Sequence, residues 1–399
     1  MANALHSGAS GAVVESLVDI PGNIPFFHVS DGIRALQRLA AFWRAKHKVR
    51  VVGVTGSVGK TTAKELIAHV LSRRFRVLKS EANLNTEIGM PLALLQLREE
   101  HQHAVLEMAM YSRGEIALLA DISKPAVGVV TNIGPVHLER LGYMGAIVAA
   151  KAELVEALPP DGLAILNGDD ARTAGLARRT RARAVLFGTS EQCDVRATDV
   201  AGHGLDGIEF TLSTPGGAVH VRCPLPGRHH VYAALAAATV AVNEGLSLEE
   251  VSAALADARP GLRLTPRPGP HGSIIIDDSY NASPASMLAA LDLLAECPGR
   301  RIAVLGDMRE LGVASDEGHR SVGLHTASRC EILVVVGGDA HLIEEEARRG
   351  GHPDVRFAAT SDDASNLLRK ELRSGDHVLI KASRAVGLES VVDALVSMR

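Results

Sequence analysis

"VVGVTGSVGKTTAKELIAHVL", residues 51–71, decides the reading of this chain. A short apolar stretch, Val51 to Val54, leads through a loop carrying Gly56 and Gly59 into Lys60 to Leu71, where Leu66, Ile67, Val70 and Leu71 recur at helical spacing. A strand, a glycine turn and a helix in that order bring unpaired backbone N–H groups and a helix N-terminus to one point, an anion site made from backbone geometry. Gly56, Ser57 and Gly59 make the turn, Lys60 adds a mobile positive charge, and Thr61 and Thr62 open the helix, the Thr61 hydroxyl suiting Mg2+. A strict phosphate-loop pattern wants glycine at 54, where this chain has Val. A plain glycine turn before a surface helix is the alternative; an ATP site is the working expectation.

Working outward, 399 residues suffice for two or three domains, and 46% hydrophobic with 22% charged residues describes an ordinary water-exposed surface. The formal net charge of -4 lacks the basic excess of a general nucleic-acid binder, so no nucleic-acid partner is expected. Aromatics make up 3%, too few for a base-stacking platform. Cys193, Cys223, Cys297 and Cys330 are widely spaced and read as reduced, mostly buried thiols rather than a zinc site or disulfide frame. The start of the chain has no signal-peptide pattern, and the longest apolar run, Val231 to Val242, is too short and alanine-rich to span a bilayer. A cytoplasmic protein with no membrane span follows, and a monomer is the default.

From 50 to about 185, apolar strands alternate with helices: Val51 to Val54, Ala104 to Glu107, Ala126 to Thr131, Leu163 to Asn167 and Ala184 to Phe187. That interleaving predicts an α/β domain with a mostly parallel sheet and ligands beyond the carboxyl ends of its strands. Residues 191–226 read as a glycine-punctuated antiparallel annex, followed by helices at 229–243 and Ser247 to Ala258. Pro260, Pro266, Pro268 and Pro270 then suggest a hinge. Beyond it a second, Rossmann-like α/β unit alternates strands at Ile274 to Ile276, Ile302 to Leu305, Ile332 to Val336 and Val378 to Ile380 with helices. Before position 49 there are only short strands and a helix from about Asp31 to Lys46, capped by Asp31 and lined by Leu36, Leu39, Ala40 and Trp43. The expected division is 1–48, 49–258 and 259–399, with the chemistry in the cleft between the two larger units.

Several strand ends carry chemistry-bearing residues. Glu107 closes "VLE" at the height where ATP chemistry wants a carboxylate for Mg2+. His137 lies on the loop after Asn132. Lys151, among Ala149, Ala150, Ala152 and Leu154, is either a snorkelling surface lysine or one drawn into an apolar cleft, where its neutral amine can take up carbon dioxide as a carbamate. Asp277, Asp278, Tyr280 and Asn281 follow a strand of the second unit; Asn281 can read an adenine edge or cap a turn. Asp307, Lys381, Ser383 and Arg384 stand at two further strand ends, Arg384 being suited to a substrate carboxylate.

The set "GVTGSVGKTT", "NLNTEIGMPL", "NIGPVHLERLG", "AAKAELVEAL", "DDSYNASPASMLAAL", "LGDMRELG" and "VLIKASRAVGLE" resembles the Mur ligases of peptidoglycan precursor synthesis, from about residue 10 to the end. The resemblance implies three domains: a grip on a UDP-linked substrate, a central ATPase and a C-terminal domain that brings the amine. It further implies ATP-driven amide formation through an acyl phosphate, joining D-alanyl-D-alanine to UDP-N-acetylmuramoyl-tripeptide. Carried over residue by residue, Lys60 binds the β/γ-phosphates; Thr61, Glu107 and His137 serve Mg2+; Lys151 is the carbamylated lysine; and Tyr280, Asn281 and Asp307 meet the nucleotide. Asn85 and Thr86 contact the muramoyl peptide, and Ser383 and Arg384 hold the dipeptide. Lys60, His137, Lys151 and Arg384 are thus the expected catalytic set.

Three departures stand out. Residues 1–48 resemble only part of the family's first domain, so the chain reads as beginning partway through it. His230 and Ala233 stand where the family has Asn, and the expected Gly-Arg phosphate contact is blurred, with Arg263 as its candidate. The rival readings are a ligase of the same superfamily with a different acid and amine, and a nucleotide-switched scaffold without turnover. The retained Glu107, His137 and Lys151 speak against the second.

Overall fold

The strand that feeds the glycine turn, Arg50–Thr55, lies inside a nine-stranded sheet of the computed structural model, which describes residues 6–16, 24–81, 83–258 and 264–397. Across the sheet the order is Gly217–Cys223, Ile208–Thr214, Val195–Gly202, Arg183–Gly188, Leu163–Asn167, Val127–Val130, Arg50–Thr55, His103–Glu107 and Val77–Lys79. The last seven are parallel, and the first two add antiparallel pairs. The expected annex is therefore an extension of the main sheet. Alternation along the strands sorts the core: Val52, Val54 and Val105 pack with Leu66, Ile67 and Val70 on one face, while Val51, Ala104 and Leu106 pack with Ile147 and Leu154 on the other.

The second sheet runs Thr265–Pro268, Ile274–Asp277, His377–Lys381, Arg301–Gly306, Ile332–Val336 and Val355–Ala358, parallel except for its first strand. Pro266 and Pro268, expected in a hinge, lie in that antiparallel edge strand, where a missing N–H leaves no gap in the ladder. Residues 259–263, including Arg263, are outside the described residues.

Besides the strand Thr265–Pro268, elements that the sequence reading does not name include the edge strands Val77–Lys79 and Val355–Ala358 and the helices Gly89–Leu94 and Ser361–Glu371. The strands are short and partly polar, as edges are, so no apolar run announces them. The helix Gly32–Ala45 forms with Asp31 accepting from the Arg34 N–H at 2.8 Å, yet its expected apolar face is only partly covered. Ala40 is enclosed, Leu39 is half exposed, and the Trp43 indole donates to Leu97 O at 3.1 Å. Among the described residues no helix is long and apolar enough to cross a membrane. All four cysteines are free thiols; Cys223, Cys297 and Cys330 are buried and Cys193 partly exposed.

Among the described residues the units built on the two sheets touch in more than one place. Arg228 pairs with Glu296 at 2.8 Å, beside Leu205 packed on the second core. The loop after Val127–Val130 meets the loop after Arg301–Gly306 through His137 and Glu310.

Candidate active site

The glycine turn is held before any ligand arrives. Gly59 caps the helix Lys60–Leu71 at φ 81°, a left-handed conformation that a side chain rarely adopts. A Cβ at Gly56 would stand 1.9 Å from Thr131 Oγ1, so only glycine fits there. The neighbouring strand end clamps the tip: the Val58 N–H donates to Asn132 Oδ1 at 2.9 Å, while Asn132 Nδ2 and Thr131 Oγ1 donate to Val58 O at 2.9 and 2.7 Å. Ser57 Oγ donates to Gly134 O at 3.0 Å. Lys60 folds back, its Nζ 2.9 Å from Gly56 O and 3.2 Å from Ser57 O, and Thr62 is partly exposed one position on from Thr61.

At the mouth of the turn Thr61 Oγ1 donates to Glu107 Oε2 and Asn85 Nδ2 to Glu107 Oε1, each at 2.9 Å. Parallel pairing of Arg50–Thr55 with His103–Glu107 puts the carboxylate there, at the ends of adjacent strands. Its backbone N–H donates to Ser80 Oγ at 3.1 Å, and buried Lys64 donates to Ser80 O at 2.7 Å. Thr86 lies just ahead of the short helix Gly89–Leu94, its Oγ1 accepting from the Gly89 N–H at 3.3 Å.

Lys151 approaches from the helix Met144–Glu156 and is 2% exposed, its Nζ donating to Gly56 O at 2.9 Å. Burial, reinforced by the charge of Lys60, pushes this amine well below the usual lysine range. The snorkelling alternative is thereby removed. His137 is also pushed down, chiefly by burial; Glu310 opposes the shift and the charges of Lys60 and Lys151 add to it. Its Nδ1 is 2.5 Å from Glu310 Oε2, and the Tyr111 ring lies edge-on at 5.0 Å.

The second sheet gathers another group. Asp307 is buried, accepting from Arg309 Nη2 at 2.7 Å and the Ala340 N–H at 2.6 Å. Ser383 N–H donates to Asp307 O at 2.9 Å, and Ser383 Oγ accepts from the Arg309 N–H at 2.8 Å. Buried Lys381 donates to Asp278 Oδ2 at 2.6 Å and Asn281 O at 2.9 Å. Asn281 Oδ1 accepts from the N–H of the next residue, Ala282, at 2.9 Å. Arg384 is exposed, its guanidinium 5.4 Å from the Tyr280 ring centroid. His230 is buried, with Nδ1 2.7 Å from Pro226 O, and Ala233 is buried in the following helix.

Lys60, Thr61, Glu107, Asn85 and Lys151 thus cluster around one turn, and Asp307, Ser383 and Arg309 around another, with His137 and Glu310 as the bond between the sheets. Lys64, Arg309 and Glu310 escaped the sequence reading. Glu310 lies three residues after Asp307 in "LGDMRELG", but nothing in spacing reveals that its loop crosses to the other sheet. Among the described residues no three His, Cys, Asp or Glu side chains group around a metal position. The donors present, one carboxylate and one hydroxyl beside a phosphate loop, nevertheless fit Mg2+, which keeps its waters and binds through one or two carboxylates plus substrate phosphates.

Residues 54–241 match the Mur ligase middle domain and residues 262–384 the Mur ligase glutamate ligase domain. The UDP-N-acetylmuramoyl-tripeptide–D-alanyl-D-alanine ligase of Synechocystis is 40% identical over 402 residues, covering 99% of this chain and 85% of that protein. Among solved structures, MurF from Acinetobacter baumannii superposes with a TM-score of 0.89 at 33% identity, over 99% of this chain and 87% of that one. The MurF ligase of Thermotoga maritima, solved in complex with ADP, gives 0.87 at 28% identity, over 99% and 90%. With both family domains matched and this identity sustained along nearly the whole length, the chain belongs to the Mur ligase family.

Proposed function

We propose that this protein joins D-alanyl-D-alanine to UDP-N-acetylmuramoyl-tripeptide at the expense of ATP, in the cytoplasm and as a monomer, for peptidoglycan precursor synthesis. The observation that carries the reading is the hydrogen bond from Thr61 Oγ1 to Glu107 Oε2 at 2.9 Å, at the mouth of a clamped phosphate loop. The relatives' names supply the two substrates, and the ADP complex of the Thermotoga maritima enzyme supports the nucleotide.

The γ-phosphoryl group passes from ATP to a terminal carboxylate of the tripeptide, breaking its bond to ADP as the carboxylate O–P bond forms. The amine of D-alanyl-D-alanine then attacks the acyl carbon, phosphate departs, and the nitrogen loses its proton. Both steps bring anions together. Lys60, on leaving Gly56 O and Ser57 O, and the N-terminus of the helix it opens offset that charge. Thr61 and Glu107, with His137 and Lys151, would hold Mg2+, which supplies further charge neutralisation when bound. A neutral Lys151 amine attacks carbon dioxide, forming N–C and releasing one proton, and the resulting carbamate offers an oxygen where an ammonium would repel a cation.

Tyr280, Asn281 and Asp307 serve the nucleotide, Asn85 and Thr86 the muramoyl peptide, and Ser383 and Arg384 the dipeptide carboxylate. Residues 1–48 belong to the grip on the UDP end, 49–258 to the ATPase unit and 259–399 to the unit bringing the amine. Phosphate release by the 399-residue chain with ATP, Mg2+ and the UDP-tripeptide, with and without D-alanyl-D-alanine, tests the proposal. Phosphate matched by UDP-pentapeptide, only when both substrates are present, is the expected result; phosphate without product would discard the substrate assignment.

A further inference from the structure

Five described non-glycine residues have a left-handed φ: Lys124, His137, Asp199, His271 and Glu310. Two of them, His137 at 55° and Glu310 at 65°, are partners in one hydrogen bond, 173 residues apart and on loops of different sheets. Side-chain-bearing residues adopt that conformation at a cost, and such costs collect where a loop is held in a working position. The loops also touch through their backbones: a Cβ on Gly312 would lie 3.0 Å from Glu139 N and 3.2 Å from Glu139 Cα. On the other side the Tyr111 ring edges His137, with the Arg140 guanidinium over Tyr111 at 4.9 Å. His137 is therefore enclosed by its own sheet and gripped by the other.

We propose that Glu310 is a positioning residue: it latches the second sheet's loop onto the phosphate-loop side and fixes the His137 ring for the reaction. When Nδ1–H is donated to the carboxylate, Nε2 keeps its lone pair and a single ring orientation. Docking of the two loops and orientation of His137 then become one event, because the same bond makes both. A surface ion pair within one unit would have neither consequence.

The kinetic arm of the test rests on the ligase reading; the scattering arm does not. Small-angle scattering of the full chain and steady-state kinetics are compared for the wild type, Glu310→Ala and Glu310→Gln. The alanine variant is expected to show a larger radius of gyration and a kcat about tenfold lower, with KM for ATP within about twofold, since one charge-assisted hydrogen bond is lost and the phosphate loop is untouched. Glutamine still accepts from Nδ1–H, so it should retain the wild-type radius of gyration and lose no more than about threefold in kcat. An alanine variant with the wild-type radius of gyration would overturn the latch, and glutamine falling as far as alanine would overturn the positioning role. Should the wild type show no turnover, the ligase reading fails and scattering alone decides the latch.

Discussion

Two lysines stand at strand-end clusters of the two sheets, each 2% exposed, and they are buried in opposite ways. Lys381 meets a carboxylate, Asp278, at 2.6 Å and also bonds Asn281 O. Lys151 donates to Gly56 O and, among the described residues, has no ion pair. Removal from water penalises any ammonium, and only an acid partner returns the difference. Lys381 is accordingly a strut, fixing the loop that carries Tyr280 and Asn281 in place. Lys151 lacks that return, and burial beside the phosphate loop pushes its amine well below the usual lysine range. Sequence alone cannot tell the two apart, because both read as a lysine next to an apolar run.

The largest effect that would separate them is on turnover. Lys151→Met should lower kcat about 10^3-fold, the scale of losing a preorganised charge-stabilising group, while leaving the denaturant midpoint at or above that of the wild type. A midpoint well below the wild type would mean that Lys151 is a strut as well. Mass spectrometry of the wild type in bicarbonate should find one added carbon dioxide on the peptide containing Lys151, absent from the variant. Lys381→Met should do the reverse, lowering stability by about 3 kcal/mol because Asp278 stays largely buried without its partner. Urea unfolding measures it, and Asp278→Asn in the same background should recover much of the loss.

A smaller effect is expected just beyond the strut. Arg384 is exposed and makes a cation–π contact with Tyr280, so it is available to a ligand without breaking a buried network. Arg384→Ala should raise KM for D-alanyl-D-alanine about tenfold and leave KM for ATP unchanged, the value of one charged contact. A matching rise in KM for ATP would assign the residue to the nucleotide instead.

How much of this was legible depends on whether the signal is local. The phosphate turn, its helix and Glu107 at the end of the neighbouring strand follow from apolar runs and glycine spacing, because parallel strands bring their carboxyl ends to one level. Their hydrogen bonds are short-range consequences of that register. The Asn132 clamp on Val58 and the Lys64 to Ser80 bond depend on side-chain direction, which periodicity does not encode. Glu310 depends on how two units lie against each other, and no stretch of either unit contains that information. The edge strand Thr265–Pro268 was hidden for a different reason: its prolines are turn-formers in most settings and become edge-strand residues only beside a partner that needs no N–H from them.

The finest distinction between the two lysines is in their pH dependence. The folded-state pKa of Lys151 lies well below the value of an unfolded lysine, about 10.4, so between those limits the unfolded chain carries a proton that the native chain lacks. Unfolding then takes up a proton, and stability must rise with pH through that window and level off as the pH passes the unfolded value. The slope is at most about 1.4 kcal/mol per pH unit, the limit for one proton. Urea titrations that approach the unfolded value of about 10.4 from below, in bicarbonate-free buffer, should find part of this slope in the wild type and less of it in Lys151→Met, because methionine has no proton to exchange. Equal slopes in the two proteins would show that the amine is protonated in the native state, and with that the route to a carbamate from a neutral Lys151 would close.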